Sequence, residues 1–269
     1  MTGALAAAGL VIAAVAGARG TWSPCGLSMI SAINPLSERA RGNRFWLTAG
    51  WFVLGSVLGG LVLGSATSLL ALALRPLAGH PAAVLWAGAA ACLVALAADR
   101  RVAGFQLPLH PRQVNELWLT HYRRWLYAAG FGVQIGLGFA TYIMTAATYL
   151  VVALAALTGS PALAVATGAA FGLVRGLAVL LSARCRSAQA LRQLHLRLSQ
   201  LEPLSLRVAV AAEALAAAGL GYAAAGLAGG AAALLAAGLL LAASDPRLVA
   251  RTTARRARPG PAGHYVAAE

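Results

Sequence analysis

Thr21-Trp22-Ser23-Pro24-Cys25-Gly26 sets a proline and a thiol inside an apolar run that extends from about residue 3 to 34. Pro24 has no backbone N–H and its ring clashes with the preceding turn, so a helix cannot pass through it undisturbed. In a bilayer the backbone groups freed by such a break need partners, and breaks of this kind line protein or a water-filled cavity. The stretch therefore predicts an interrupted membrane helix with a polarizable group, Cys25, at the interruption.

The rest of the chain agrees with a membrane setting. Of 269 residues, 60% are hydrophobic and 10% charged, and chains of this kind are counted in spans of about 20 apolar residues. Further apolar runs lie at about 45–74, 82–98, 126–157, 162–183, 208–224 and 231–243. They predict an all-α, multi-pass protein of seven helices, or six if the last two short runs act as one. Residues 1–243 form a single membrane domain, and 244–269 read as a disordered basic tail near lipid headgroups. Ala16-Gly17-Ala18 mimics a signal-peptidase site, but no basic region precedes the first run, so that run is expected to be retained.

All 21 basic residues are arginine, against seven acids, giving a formal charge of +14. Nucleic acid is not the partner this charge implies, because the arginines gather between apolar runs and lack interleaved aromatics. The connections 35–44, 99–125 and 184–207 and the tail after Ser244 hold 18 of the 21. The positive-inside rule then places the N-terminus outside and the C-terminus in the cytoplasm of a plasma (inner) membrane protein.

Two runs exceed a single pass. At about 1.5 Å per residue, 3–34 and 126–157 would each extend roughly 48 Å, against a hydrocarbon core of about 30 Å. The first has Gly17, Gly20, Pro24 and Gly26 to break it; the second has Gly130, Gly132, Gly136 and Gly138. Each is followed by two more runs, with opposite inferred orientation. This predicts an inverted repeat of three plus three helices, about 3–98 and 126–224, with an extra helix at 231–243.

The candidate polar residues fall inside these runs. Arg19, Arg175 and Glu213 are costly in a membrane and demand partners. Similar depths predict an Arg175–Glu213 ion pair, either a structural clamp or a substrate or proton site. In the other pairing Arg19 competes for Glu213 and leaves Arg175 to an anionic ligand. Gln134, Thr141, Thr145 and Thr148 share one face if their run is a continuous helix, either for hydrogen bonding between helices or as a polar path. Tyr149 and Cys92 read as packing residues, and glycines 55, 59 and 60 as points of close helix approach. Cys185, flanked by Arg184 and Arg186, reads as structural rather than as a reactive or palmitoylated thiol.

Outside the spans, Leu191, Leu194, Leu198 and Leu201 predict an amphipathic helix lying on lipid, ended by Pro203, with partner docking as the alternative. The loop holding His110, Glu116, Trp118, His121 and Tyr122 is a second docking candidate. Its histidine spacing does not fit metal binding. No metal site, cofactor fingerprint, phosphate loop or hydrolase triad is legible, and three cysteines fit no disulfide framework.

The order of elements resembles the CcdA/DsbD transmembrane-domain family, which carries reducing equivalents across membranes for extracytoplasmic thiol chemistry and cytochrome c maturation. The resemblance rests on Ser23-Pro24-Cys25, the basic loop of Arg39, Arg41 and Arg44, and Trp51-Phe52-Val53-Leu54-Gly55. It continues in Gly136-Leu137-Gly138-Phe139 and Gly172-Leu173-Val174-Arg175-Gly176-Leu177. Redox members of that family carry a second cysteine beside a proline in the fourth helix; here Tyr142 and Thr141 stand there. A tyrosine cannot exchange disulfides.

The resemblance thus implies the architecture and Cys25, but not an internal dithiol. Cys25 is then a thiol acting through a mixed disulfide with a thioredoxin-like or other redox partner, or else a soft metal contact or a packing residue. If this is an enzyme at all, it is a membrane thiol oxidoreductase. The alternatives are a small-solute or metal-ion transporter with Pro24, Gln134, Thr141, Tyr142, Thr145, Arg175 and Glu213 along its path, or an assembly factor.

Overall fold

The structure, a computed structural model, describes residues 1–108 and 122–244. His110, Glu116, Trp118, His121 and the C-terminal arginines lie outside the described residues. Among those described there are nine α-helices and no strands. They are α1 (Thr2–Arg19), α2 (Pro24–Ala32), α3 (Pro35–Ala40), α4 (Phe45–Leu74), α5 (Pro81–Asp99), α6 (Arg124–Gly136), α7 (Ala147–Leu157), α8 (Pro161–Leu177) and α9 (Ala188–Ala243).

Five helical stretches are long and apolar enough to cross a bilayer: Thr2–Trp22, Phe45–Gly79, Pro81–Asp99, Pro161–Arg184 and Ala188–Ala243. The outer surface agrees. Trp46, Leu69, Leu215, Leu227 and Leu239 are all more than 60% exposed, a display that water penalises and lipid does not.

Both long runs break. A 3₁₀ turn, Gly20–Trp22, follows α1. Ser23 then caps α2: its hydroxyl accepts the Gly26 N–H (3.1 Å) and donates to the Gly20 carbonyl (2.7 Å). Pro24 takes the first helical position, where its missing N–H costs nothing. In the second run, Gly138 adopts φ +71°, conformational freedom that glycine supplies. Residues 139–146 are non-helical before α7 begins.

The centre of the bundle is built on glycine. On α4, a Cβ at Gly59 would overlap the Val133 carbonyl of α6, and one at Gly60 would overlap the Gly168 carbonyl of α8. Facing glycines 132 and 136 on α6, and 168, 172 and 176 on α8, return the same closeness. Ser56 reinforces it by donating to the Gly172 carbonyl (2.7 Å). Helices meeting without side chains between them gain dispersion contact in lipid, where no hydrophobic force drives association. Glycines 55, 59 and 60 thus have the packing role expected. The Gly168, Gly172, Gly176 series is legible as small residues spaced by four, and sequence reasoning had passed over it.

Helix α9 contains more than one element. Ala225 and Gly226 leave helical geometry, with Gly226 at φ +63° and ψ −151°. Gly229 beyond them lies against Gly221 before them, so the chain doubles back as a helical hairpin. Val210 and Ala237 accordingly share one small cluster with Leu96 of α5.

Pro203 does not end the preceding pattern, for the helix runs through it. The leucine face of the first part of α9 packs largely on protein rather than lipid. Leu198 is 4% exposed in a cluster with Met29 and Ile30 of α2 and Ile33 just after it, and Leu191 and Leu194 pack against that cluster; only Leu201 of the four is exposed. The Trp22 indole N–H donates to the Leu198 carbonyl (2.7 Å) and fixes the docking.

Candidate functional site

Arg175 joins the two helix breaks. Its side chain, 4% exposed, lies over the Phe171 ring at 5.6 Å and packs against Gly20, where a Cβ would stand 3.0 Å from its Cζ. Nη2 donates to the Thr141 hydroxyl at 3.1 Å, and Cys25 lies within electrostatic range of the guanidinium. One α8 cation thus touches the turn before Ser23-Pro24-Cys25 and the loop after Gly138. Gly17 and Gly20 make the approach possible, since Gly17 sits on the Phe171 carbonyl and the Arg175 N–H.

Cys25 is 1% exposed and sits at the second position of α2. A thiol in the first turn of a helix faces unsatisfied N–H groups and the positive end of the helix dipole. Cys92 is fully buried in the apolar core, as expected of a packing residue. Cys185, buried after the 3₁₀ turn that follows α8, has its thiol pushed up by desolvation, which fits a structural role.

Beside this cluster, at the arginine-rich end of the bundle, is a cavity of about 690 Å³. Trp22 and Pro24 of the first break line one part, and Tyr142, Met144 and Thr145 of the second line another. Arg19, Asp99, Arg100, Arg101 and Glu202 supply its charge. Tyr142 of the second break therefore faces the same space as Pro24 of the first. Tyr149 does more than pack: it lines this cavity, its hydroxyl donates to the Pro108 carbonyl (2.6 Å), and its ring meets Phe139 edge-on at 5.2 Å.

Two expectations need correction. Gln134, Thr141, Thr145 and Thr148 do not form a face, because the helix ends at Gly136 and the positive φ of Gly138 turns the chain away. Gln134 stays half-buried in α6 and Thr148 is buried in α7. Thr141 goes to Arg175 and Thr145 to Asp99.

Nor do Arg175 and Glu213 pair. Among the described residues the one ion pair within 4.0 Å is Arg41–Glu38. Glu213 instead feels Arg19 and Asp99, because α9 packs on α5 and α1, away from the Arg175 face of α8. The competing assignment of Arg19 to Glu213 describes the geometry better.

Two acids escaped sequence reasoning. Asp99 ends α5 and caps α7, its carboxylate accepting from the Thr145 hydroxyl and from the Ala146 N–H at 2.6 Å. Its signal was an isolated acid at the end of an apolar run. Glu38, fully buried, accepts from Arg41 (2.7 Å), Thr48 (2.6 Å) and the Tyr127 hydroxyl (2.8 and 3.0 Å), tying α3 to α4 and α6. Only its place inside the basic loop marked it.

Comparison with known proteins finds relatives of this chain. The chain is 34% identical over 163 residues to the methylamine utilization protein MauF of Paracoccus versutus, covering 59% of this chain and 58% of that protein. It is 33% identical over 176 residues to MauF of Paracoccus denitrificans, covering 64% and 62%. MauF of Methylorubrum extorquens is 29% identical over 174 residues, covering 61% and 58%. The chain spans about three fifths of the length of these curated relatives. No family model and no solved structure matches.

Proposed function

We propose that this chain is a multi-pass plasma-membrane accessory protein of methylamine utilization, built on a CcdA/DsbD-like core, that handles thiols of partner proteins through Cys25. The relatives' shared name supports the first part. The core is read as two inverted repeats, with α1–α2, α4 and α5 answering to α6–α7, α8 and the first arm of the α9 hairpin. In each repeat the first helix is the broken one, the arrangement that brings two interruptions together in transporters of inverted topology. The arginine-rich end faces the cytoplasm.

The observation that carries the thiol reading is Arg175 beside Cys25 in a buried site at the meeting of both breaks. With Tyr142 at the other break, Cys25 works with a partner. Its thiolate attacks a partner disulfide, a mixed disulfide forms, and the partner's second sulfur leaves as thiolate. A thiol of a second, thioredoxin-like protein then attacks the mixed disulfide and releases Cys25 unchanged.

The test is growth on methylamine of a Paracoccus denitrificans strain lacking its own MauF and supplied with this chain. Restored growth that is lost in Cys25→Ser, with the variant present in the membrane, is the expected result. Growth equal to wild type with Cys25→Ser overturns the thiol reading, and failure of the wild-type chain to restore growth overturns the methylamine assignment. A second reading, passage of a small solute or metal ion, is favoured by the charged cavity between the breaks. It predicts that Cys25→Ser is tolerated while a bulky Thr145→Trp, which fills the cavity, abolishes growth.

A further inference from the structure

Behind Arg19 and Asp99, away from Cys25, Glu213 of α9 is fully buried, and neither carboxylate oxygen has a hydrogen-bond partner among the described residues. A bare carboxylate in a protein interior costs several kcal/mol unless it is paired or neutralised. The groups facing it are Arg19 of α1 and Asp99 of α5, with the Cys92 thiol of α5 also in range. Arg19 does not bond it: Nη1 donates to the Ser205 hydroxyl at 2.7 Å, Nε has no partner among the described residues, and its charge is shared among Asp99, Glu202 and Glu213.

Asp99 differs from Glu213 in the way that decides where a proton goes. Its carboxylate receives the Thr145 hydroxyl and the Ala146 N–H at the start of α7, and donors of this kind stabilise the ionised form. Asp99, Glu202 and Glu213 all draw on the Arg19 guanidinium, and of the two buried carboxyls that face it the one with no donors, and so the one that gains most by taking a proton, is Glu213. Asp99 and Arg19 also line the 690 Å³ cavity, which connects the cluster to water at the arginine-rich end.

We propose that Glu213 is a proton-binding site of the membrane domain, held as the neutral acid and exchanging its proton with the cavity past Asp99 and Arg19. The proposal is independent of the thiol reading. Loading the site moves one proton from cavity water onto Glu213; unloading returns it and leaves the carboxylate facing Arg19, whose buried Nε has no hydrogen-bond partner among the described residues.

The probe is dicyclohexylcarbodiimide, an apolar reagent that adds to protonated carboxyls, applied to the full chain in membranes and located by peptide mass spectrometry. An adduct on Glu213, faster at lower pH and retained in Asp99→Asn, is expected. Infrared difference spectra of wild type against Glu213→Gln give a second readout, a carbonyl band of a protonated acid present only in wild type. Because glutamine copies the neutral acid, Glu213→Gln should also keep the wild-type Tm. No Glu213 adduct together with no such band overturns the proposal. So does a marked fall in Tm for Glu213→Gln with rescue by Arg19→Gln, which identifies an ionised clamp.

Discussion

Arg175 of α8 donates through Nη2 to the Thr141 hydroxyl at 3.1 Å, across 34 residues of chain, and so ties an apolar helix of membrane-spanning length to the loop that interrupts its neighbour. The same guanidinium packs on Gly20 at the other interruption. Arg175→Lys keeps the charge but not the planar fork, and Arg175→Gln removes the charge. The expected order for alkylation of Cys25 by a membrane-permeant maleimide is wild type, then lysine, then glutamine. The glutamine variant should be slower by about tenfold, a factor equivalent to about 1.4 kcal/mol. Equal rates in all three would show that Arg175 does not act on the thiol.

Substituting Gly172 tests the glycine seam. A Cβ there would overlap the Ser56 carbonyl of α4, so Gly172→Ala should destabilise by about 1–3 kcal/mol as an overpacked contact. Gly50, with nothing within 4 Å of its virtual Cβ, is the control. Gly50→Ala should be neutral or stabilise by up to about 1 kcal/mol through helix propensity. Thermal unfolding in detergent reads both.

Asp99 holds the start of α7 from a different helix. Asp99→Ala should cost about 1–2 kcal/mol, the usual loss on removing a cap, and should speed hydrogen exchange at residues 146–149. Asp99→Asn keeps an acceptor oxygen and should lose less than half as much. Unchanged exchange in the alanine variant would mean that α7 does not depend on the cap.

Glu38 accepts three side chains, so Glu38→Ala strands buried donors and should cost about 1–3 kcal/mol for those left unsatisfied. Tyr127→Phe removes one partner and should cost about 1 kcal/mol. Arg41→Gln should cost least, because its side chain is 30% exposed and water replaces the lost partner. Denaturation midpoints that reverse this order would assign the loop's rigidity to the ion pair instead.

Much of the fold was legible from local signals. A proline in an apolar run must break or kink a helix wherever that run ends up, and Pro24 does so at the predicted place. Arginine spacing and run lengths gave the candidate spans, and glycines 55, 59 and 60 announced close packing because little else explains small residues at that spacing in a membrane helix. The face assigned to Gln134, Thr141, Thr145 and Thr148 failed for an equally local reason. It assumed helical periodicity through Gly138, and a single positive φ removed the periodicity on which the face depended.

By itself, then, the sequence determined an all-helical chain with membrane-length apolar helices, the interruption at Ser23-Pro24-Cys25, and the set of charges that would need partners. Only the tertiary structure decided who those partners are. Arg175 meets Thr141 and Cys25 while Glu213 is left to Arg19 and Asp99. That choice depends on which helices become neighbours and how each is rotated about its axis. In this protein glycine contacts between helices far apart in the chain set much of both, and no pattern within a single helix says which helix will face it.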